Sequence, residues 1–365
     1  MLTQIGKSVL YEYNGEMLLV EPWGRDSLRI RATKLCEFPT EDWALLKPVW
    51  SDCAIVEQCE SCATVQNGKI KATIDCSGKL LFENQKQEVL LEEYVRNRNQ
   101  ILLGNTEGFA SALNIDAREF KPILGGDYTL AVRFESNQSE KIYGLGQYQQ
   151  PHFDLKGCEL ELAQRNSQAS VPFAVSSLGY GFLWNNPAIG RVSLAKNMTT
   201  WTAYSTKCMD YWITAGDTPA DILGNYAANT GMVPMMPDWA MGFWQCKLRY
   251  QTQDELLSIA REYKNRGVPL SVIVIDYFHW PRQGEWKFDP AYWPDPLAMV
   301  DELTEMGVQL MVSIWPTVDC KSENFCNRHI WARPLILTPL IPRRAHMYGK
   351  RRKKTTINSG FGFFG

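Results

Sequence analysis

Between residues 240 and 315 a strand–helix unit occurs twice, and this repeat restricts the chain to a small number of architectures. Both copies contain the same joint, Gly267–Leu270 and Gly307–Leu310, in which Gly-Val precedes a nearly continuous apolar run. Runs of this kind are typical of strands that are buried on both faces. A strand–helix–strand–helix–strand order with right-handed crossovers predicts a parallel sheet, which either closes into a barrel or stays open and doubly wound. No glycine-rich nucleotide motif follows any of these strands, so nucleotide binding has no support.

The two helices of this region carry their own start and stop signals. Thr252 and Glu255 have the spacing of a capping box, and Asp295 before Pro296 is a second N-terminal signal. The glycine of each joint stands where a helix commonly ends. These signals bracket three predicted strands, Ala240–Gln245, Pro269–Ile275 and Gln309–Trp315.

Residues 1–236 have a different texture, with many short alternating or β-rich runs and no long amphipathic helix. Turn signals such as Asn67-Gly68 and Ser77-Gly78 separate the runs. This pattern predicts a large antiparallel β-sandwich ahead of the parallel unit. Its clearest predicted strands are Met17–Val20, Ser27–Ala32, Lys69–Ile74, Tyr128–Phe134, Arg191–Leu194 and Tyr211–Thr214.

Composition and charge exclude several classes of protein. The formal net charge of −2 gives no reason to expect nucleic acid or an anionic membrane as a partner. No apolar run reaches the length of a signal peptide or a membrane span, which predicts a cytoplasmic protein. Among ten cysteines, Cys59 and Cys62 form the only close pair, and no second pair, zinc-spaced histidines or βαβ pattern accompanies them. We therefore predict reduced thiols, and we favour neither a redox nor a metal-binding role for this pair.

Candidate functional residues stand where the predicted strands end. In parallel α/β folds the active site lies at the C-terminal ends of the strands, and those positions hold Trp244, Asp276 and Trp315. A carboxylate can accept two hydroxyl hydrogen bonds from a sugar while aromatic rings cover its apolar faces. Asp276 could alternatively cap a helix or face solvent in a loop, but an acid directly after an apolar strand favours a functional role. The two tryptophans could equally pack in the core, and His279 has no visible metal partners.

A series of motifs extends this pattern over most of the chain. In order they are Tyr143–Gln147, Gln164–Asn166, Val171–Phe173, Gly179–Pro187, Met209–Trp212, Met241–Gln245, Val274–Phe278, Trp286–Asp289 and Ser313–Pro316. Taken together and in this order, the motifs resemble glycoside hydrolase family 31, and within it the α-xylosidase branch.

The resemblance implies a fold and a chemistry. The fold is an N-terminal β-sandwich of the galactose-mutarotase type, followed by a (β/α)8 TIM barrel. The chemistry is retaining hydrolysis of α-linked xylose or glucose, without metal or organic cofactor, on an α-xyloside or α-glucoside oligosaccharide. The sequence leaves open whether the protein forms a homo-oligomer. The segment Gln164–Asn166 resembles a loop that the sandwich sends toward the barrel mouth.

The resemblance also assigns residues to a substrate site. Asp276 is similar to the aspartate with which the family binds sugar hydroxyls in the −1 subsite. The rings that resemble the lining of that pocket are Trp244, Tyr277, Phe278, Trp280 and Trp315.

The catalytic carboxylates have no match in this sequence. Retaining hydrolysis needs a nucleophile and an acid/base about 5–5.5 Å apart, and the family places its nucleophile after the fourth barrel strand. Because only three barrel strands are predicted, we expect the chain to lack both groups and to be inactive. One alternative is a catalytically dead carbohydrate-binding fragment. Another is that three strands with open apolar edges fold poorly.

The predicted domains are a β-sandwich over residues 1–236, the start of the catalytic barrel over 237–325, and a basic tail over 326–365. After Glu323 the sequence has no Asp or Glu, and the likeness to the family stops near Phe325. We hypothesise that this tail is disordered and translated from a wrong reading frame or an intron. The alternative for the basic run Lys350–Lys354 is a nucleic-acid or nuclear-localisation patch.

Overall fold

The computed structural model describes residues 1–47, 54–59, 61–97, 114–315 and 317–326. It divides into two compact units, of which the first is Met1–Val233 and the second begins at Pro234. The boundary predicted from sequence follows residue 236. The predicted basic tail lies outside the described residues, apart from Cys326 at its first position.

The described part of the first unit consists mainly of short strands. Their bounds are β1 Leu2–Ile5, β2 Ser8–Tyr13, β3 Glu16–Pro22, β4 Ser27–Thr33, β5 Ile55–Gln58, β6 Cys62–Asn67, β7 Ile70–Asp75, β8 Leu80–Asn84, β9 Val89–Glu92, β10 Arg96–Asn97, β11 Asn114–Ile115, β12 Arg118–Pro122, β13 Tyr128–Glu135, β14 Ile142–Gln147, β15 Glu159–Leu162, β16 Ala169–Ser176, β17 Tyr180–Trp184, β18 Gly190–Leu194, β19 Met198–Thr206 and β20 Met209–Ala215.

These strands form antiparallel sheets that share one core. An eight-stranded sheet has the order β1-β2-β3-β4-β20-β17-β16-β14, and a five-stranded sheet has the order β12-β13-β19-β18-β15. Strands β5 to β9 form a second five-stranded sheet in sequence order, and β10 pairs with β11. The ring of Phe182, in the eight-stranded sheet, lies 4.9 Å from Trp201 and 5.6 Å from Phe134, which belong to β19 and β13 of the other large sheet. The predicted antiparallel sandwich is therefore confirmed.

Side-chain alternation explains why these segments are strands. In β7, Ile70, Ala72 and Ile74 are fully buried while the residues between them are partly exposed. Successive side chains of a strand point to opposite faces, so this period of two buries one face of the sheet. In contrast, β20 lies between β4 and β17, and all seven of its residues are buried.

One helix of the first unit was missed in the sequence, where no long helix was expected before residue 236. Helix α1, Pro219–Thr230, begins with Thr218 as N-cap and Pro219 in its first turn. The Thr218 side chain and the Asp221 backbone and carboxylate complete a capping box. The helix is largely exposed, with Ile222 as its buried apolar anchor, so its apolar periodicity in the sequence is weak.

A buried arginine joins three sheets of the first unit. Arg118 of β12 donates from Nε to Glu16 of β3 at 2.6 Å and from Nη1 to Glu93, directly after β9, at 2.6 Å. Its Nη2 donates to the Gly78 carbonyl at 2.9 Å. The Arg118 side chain is 8% exposed and that of Glu93 is 0% exposed. A charge cluster this deep is stable only while each charge keeps its partners.

The second unit has the predicted parallel sheet, with β21 Trp244–Lys247, β22 Val272–Ile275 and β23 Gln309–Val312. Its helices are a short 3-10 helix Asp238–Met241, α2 Gln253–Asn265, α3 Pro296–Glu305 and α4 Glu323–Cys326. The predicted N-caps are confirmed, because Thr252 and Asp295 each accept a hydrogen bond from the first turn of α2 and α3. The first predicted strand was misplaced: residues 238–241 form the 3-10 helix, and β21 begins four residues later than Ala240.

Helices α2 and α3 cover one face of this sheet. Ile273 and Ile275 of β22 and Leu310 of β23 form a buried cluster with Leu256 of α2 and Met299 of α3. Both helices end at a glycine with positive φ, +66° at Gly267 and +76° at Gly307, as the sequence predicted.

Candidate functional site

The strand register brings the C-terminal ends of the three strands of the second unit to one edge. Ile275 pairs with Lys247 of β21 and with Val312 of β23, and the Ser313 N–H donates to the Ile275 carbonyl at 2.9 Å. Asp276 is the first residue beyond this edge. Because Ile273 and Ile275 face the helices, alternation places Asp276 on the opposite face of the sheet, which lines the interior when such a sheet closes into a barrel.

Asp276 is a partly exposed loop residue whose carboxylate accepts the N–H of Tyr277 at 2.9 Å. It does not cap a helix, because α3 starts only at Pro296. Its negative charge reaches Cys246 of β21 on the same face. Burial, together with this charge, raises the pKa of the Cys246 thiol. In the described part of the chain the carboxylate accepts the Tyr277 N–H alone, so it keeps acceptor capacity at the strand edge.

Three of the predicted aromatic residues meet beside this acid. The rings of Tyr277 and Trp315 stack with centroids 5.0 Å apart and planes 9° apart. Phe278 lies 4.3 Å from Tyr277 and 6.4 Å from Trp315. Phe278 is 45% exposed and Trp315 is 41% exposed, so both offer ring surface to a ligand. These residues come from the loops after β22 and β23, and they form what we call the aromatic cluster, Tyr277, Phe278 and Trp315.

An arginine that sequence reasoning missed holds the position of Phe278. Phe278 has a φ of +61°, a conformation that non-glycine residues adopt at a cost. The Arg249 guanidinium lies 5.6 Å from its ring centroid, and Arg249 donates to the Phe278 carbonyl at 3.4 Å. Arg249 lies just after β21, so a third strand end contributes to the site. Because the sequence placed the end of this strand at Gln245, it did not predict that Arg249 lies beside Phe278.

The loops after β22 and β23 are fastened to each other. Gln283 donates to Thr317 at 2.5 Å, and its carbonyl accepts the Asp319 N–H at 3.0 Å. Trp286 donates from its indole to the Trp315 carbonyl at 3.0 Å. Contacts between loops that are thirty residues apart in sequence fix the aromatic cluster in one arrangement.

Two predicted lining residues occupy other places. Trp244 does not end a strand: it is the first residue of β21 and pairs with Val272, the first residue of β22. Four residues of strand, about 13 Å, separate that level from Asp276. Trp280 is 4% exposed and packs its ring 5.9 Å from Phe278. Trp280 therefore packs against the buried side of Phe278, and its ring is too little exposed to contact a ligand.

His279 lies buried behind the site, 5.0 Å from the Phe288 ring and 4.7 Å from the Trp280 ring. Burial lowers the pKa of His279 to about 4, and a hydrogen bond with the Asp276 backbone opposes this only in part. The neutral imidazole thus packs as part of the core under the aromatic cluster. Among the described residues, no group of three His, Cys, Asp or Glu side chains could hold a metal ion.

This burial predicts a pH dependence for the second unit. The unfolded chain binds a proton at His279 near the ordinary pKa of about 6.5, whereas the folded chain does so only near 4. Above pH 6.5 the neutral His279 therefore costs the folded state nothing. As the pH decreases toward 4, the free energy of unfolding of the second unit falls by on the order of 2–3 kcal/mol. Hydrogen exchange of α2 and α3 between pH 7 and 4.5 measures this loss. A His279→Phe variant is expected to lose much less over the same range, and an unchanged slope would contradict the assignment.

The segment Gln164–Asn166 lies in the first unit, between β15 and β16. Arg165 pairs with Glu161 at 2.6 Å, and Gln164 exchanges two hydrogen bonds with Ser170. These contacts order the segment locally, and its role in closing the site remains a prediction. No helix in the described part of the chain combines the length and apolarity that crossing a bilayer requires.

Comparison with known proteins identifies both units. A model of the glycosyl hydrolase 31 N-terminal galactose mutarotase-like domain matches residues 26–192. A model of the glycosyl hydrolases family 31 TIM-barrel domain matches residues 233–336, eleven residues beyond Phe325. The N-terminal mutarotase-like fold and the start of a TIM barrel, both predicted from the resemblance, are thereby confirmed.

Individual relatives agree with this assignment. An uncharacterized family 31 glucosidase, ORF2, of Pseudescherichia vulneris is 54% identical over 89% of this chain and 62% of its own length. An α-xylosidase of Saccharolobus solfataricus is 39% identical over 54% of this chain and 29% of its own length. The crystal structure of a family 31 α-xylosidase from a soil metagenome, complexed with xylose, superposes with a TM-score of 0.79 at 56% identity, over 90% of this chain and 49% of that one.

The chain thus spans between 29% and 62% of the length of these three relatives. The N-terminal domain model matches ahead of the TIM-barrel model, which is the order that the motifs predicted. The superposition with the solved α-xylosidase includes 90% of this chain. The chain therefore belongs to glycoside hydrolase family 31.

Proposed function

We propose that the whole protein is a retaining α-glycosidase that removes terminal α-linked xylose from oligosaccharides. The observation that carries this proposal is the position of Asp276, at the C-terminal end of the second barrel strand and beside the exposed aromatic cluster. In a barrel of this kind, substrates bind at that end of the strands. Asp276 offers the acceptor and the cluster offers the apolar surface that a neutral pyranose needs.

The proposed recognition divides the sugar between these two elements. The Asp276 carboxylate accepts hydrogen bonds from two neighbouring hydroxyls, which a charged acceptor strengthens. Phe278 and Trp315 cover the C–H face of the ring, because both are more than two fifths exposed. Tyr277 stacks on Trp315 and orients it. Arg249 and Trp280 hold Phe278 and contact the sugar only indirectly.

Xylose is favoured over glucose by the relatives. The structure at 56% identity is that of an α-xylosidase complexed with xylose, and the archaeal relative at 39% identity is an α-xylosidase. The relative from Pseudescherichia vulneris is described as a glucosidase, which makes α-glucosides the second candidate. We also propose a cytoplasmic location, because ten scattered cysteines without the spacing of a disulfide framework fit a reducing compartment.

We further propose that the nucleophile and the acid/base lie outside these 365 residues. The three described barrel strands place Asp276 at their common edge, and the family chemistry requires two additional carboxylates about 5–5.5 Å apart. The 365-residue chain then binds the sugar without cleaving it. This is the carbohydrate-binding alternative, and it differs from the enzyme only in the missing catalytic pair.

Two measurements on the purified chain test the proposal. With p-nitrophenyl α-xyloside we expect no turnover, because no carboxylate pair is in place. With methyl α-xyloside we expect binding in ligand-observed NMR, weaker binding of methyl α-glucoside, and none of methyl β-xyloside. Release of p-nitrophenol would contradict the absence of the catalytic pair. Equal signals for all three sugars would contradict recognition by Asp276 and the aromatic cluster.

A further inference from the structure

Cys59 and Cys62 lie opposite each other at the end of the β5–β6 strand pair in the first unit. Strands β5 and β6 are antiparallel and pair Gln58 with Ala63, so Cys59 and Cys62 are the next opposed residues. The Cys59 N–H donates to the Cys62 carbonyl at 2.8 Å. Directly opposed residues of antiparallel strands have Cα atoms about 4.5–5.5 Å apart, which falls within the range of about 4.4–6.8 Å at which disulfides form. The strand pairing therefore favours a disulfide between these two residues.

The two sulfurs are also in different environments. The Cys62 N–H donates to the Cys59 sulfur at 3.0 Å, and the Ser61 hydroxyl lies 3.7 Å from it. Donors of this kind stabilise a thiolate. Hydrogen bonds from the Cys62 thiol and from Ser61 lower the pKa of Cys59 to about 7, whereas the pKa of Cys62 is raised because it donates to Cys59. The arrangement supplies one nucleophilic sulfur and one resolving thiol.

The hairpin is accessible to small molecules. Cys59 is exposed and Cys62 is partly exposed. Strand β5 is an edge strand of its sheet, and three of its four residues are exposed. An exposed low-pKa thiol beside a second thiol is the usual form of a redox-sensing site.

We propose that Cys59 and Cys62 form a redox-active dithiol that reacts with low-molecular-weight disulfides. The Cys59 thiolate attacks one sulfur of the small disulfide, whose S–S bond breaks and releases one thiol. Cys62 then loses its proton and attacks the Cys59 sulfur of the mixed disulfide, which releases the second thiol. The pair is oxidised by two electrons, and the small disulfide is reduced to two thiols. This site is separate from sugar binding and does not depend on the proposed function.

The test uses the full chain with glutathione disulfide as the probe. After alkylation of the remaining thiols, cleavage after Glu60 separates the two cysteines in sequence, so a Cys59–Cys62 disulfide appears as two linked peptides. We expect this link in most wild-type chains, and equally in a Cys76→Ser control, because Cys76 is an exposed thiol outside the hairpin. A Cys62→Ser variant is expected to stop at a stable mixed disulfide on Cys59. A Cys59→Ser variant is expected to react at Cys62 about ten times more slowly.

Two results would overturn the proposal. One is that Cys59 links mainly to another cysteine or carries glutathione in the wild type. The other is that Cys59 reacts at the same rate as the control thiols Cys36 and Cys76. Circular dichroism of each variant shows whether the fold is kept, and a variant that fails to fold is replaced by Cys59→Ala or Cys62→Ala.

Discussion

Replacing Arg118 with methionine is expected to destabilise the first unit by about 3–5 kcal/mol. The guanidinium joins Glu16, Glu93 and the Gly78 carbonyl, and its side chain is 8% exposed. Methionine fills much of the same volume but provides no donor. Two carboxylates then remain in the interior without their cation, and Glu93 is fully buried. Breaking a buried pair in this way costs far more than the pair contributes in water.

The same variant should show a characteristic pH dependence. Burial raises the pKa of Glu93 even in the presence of Arg118, which opposes the shift. Without Arg118 the folded-state pKa rises further, while the unfolded value stays near its ordinary value of about 4.3. The folded state then binds the Glu93 proton more tightly than the unfolded state does. The free energy of unfolding therefore falls as the pH rises above the unfolded pKa of about 4.3. The Arg118→Met defect should therefore be smaller at pH 5 than at pH 7.5.

Urea denaturation of wild type and variant at both pH values measures these effects. A matched control is Arg165→Met, because Arg165 pairs with Glu161 on the surface and both side chains are at least 42% exposed. Exposed pairs contribute about 0–1 kcal/mol, so the control should stay close to wild type. Similar losses for the two variants, or a defect that grows toward acidic pH, would refute a structural role for the buried cluster.

The parts of the fold that could be predicted are those set by local patterns. The alternation in β7 and the N-cap at Asp295 depend on neighbouring residues, and both appear as expected. Strand β21 was misplaced because Ala240 and Met241 are apolar, whereas Pro237 and Asp238 start a 3-10 helix there. Apolar character alone does not distinguish a strand from a short helix.

The candidate site was predictable only where it follows from strand order. Asp276 and Trp315 were found because each follows an apolar run that ends at the same edge of a parallel sheet. The support given by Arg249, and the hydrogen bond from Gln283 to Thr317, join segments that are distant in sequence. Such contacts leave no periodic signal. Trp280 shows the opposite error, because a position after a strand does not reveal whether a ring is exposed.

Replacing Asp276 with alanine is expected to lower the affinity for methyl α-xyloside at least 100-fold. The carboxylate is the acceptor for two sugar hydroxyls in the proposed complex, and each hydrogen bond to a charged group contributes about 1.5–3 kcal/mol. Alanine leaves those hydroxyls without partners in a site that aromatic rings shield from water. The Asp276 side chain has Tyr277 N–H as its hydrogen-bond donor in the structure, so the fold itself should lose little.

Two further variants separate recognition by charge from a loss of structure. Asp276→Asn keeps the shape and one acceptor oxygen, and about a tenfold loss is expected because the remaining hydrogen bond is neutral. Asp301→Asn, on the exposed side of α3, removes a carboxylate of the same unit far from the strand edge and should bind like wild type. Ligand titration by NMR, with urea denaturation of each variant, measures affinity and stability separately. If Asp276→Ala binds the xyloside as tightly as wild type, the sugar is held elsewhere, because the loss of two charge-assisted hydrogen bonds must lower the affinity.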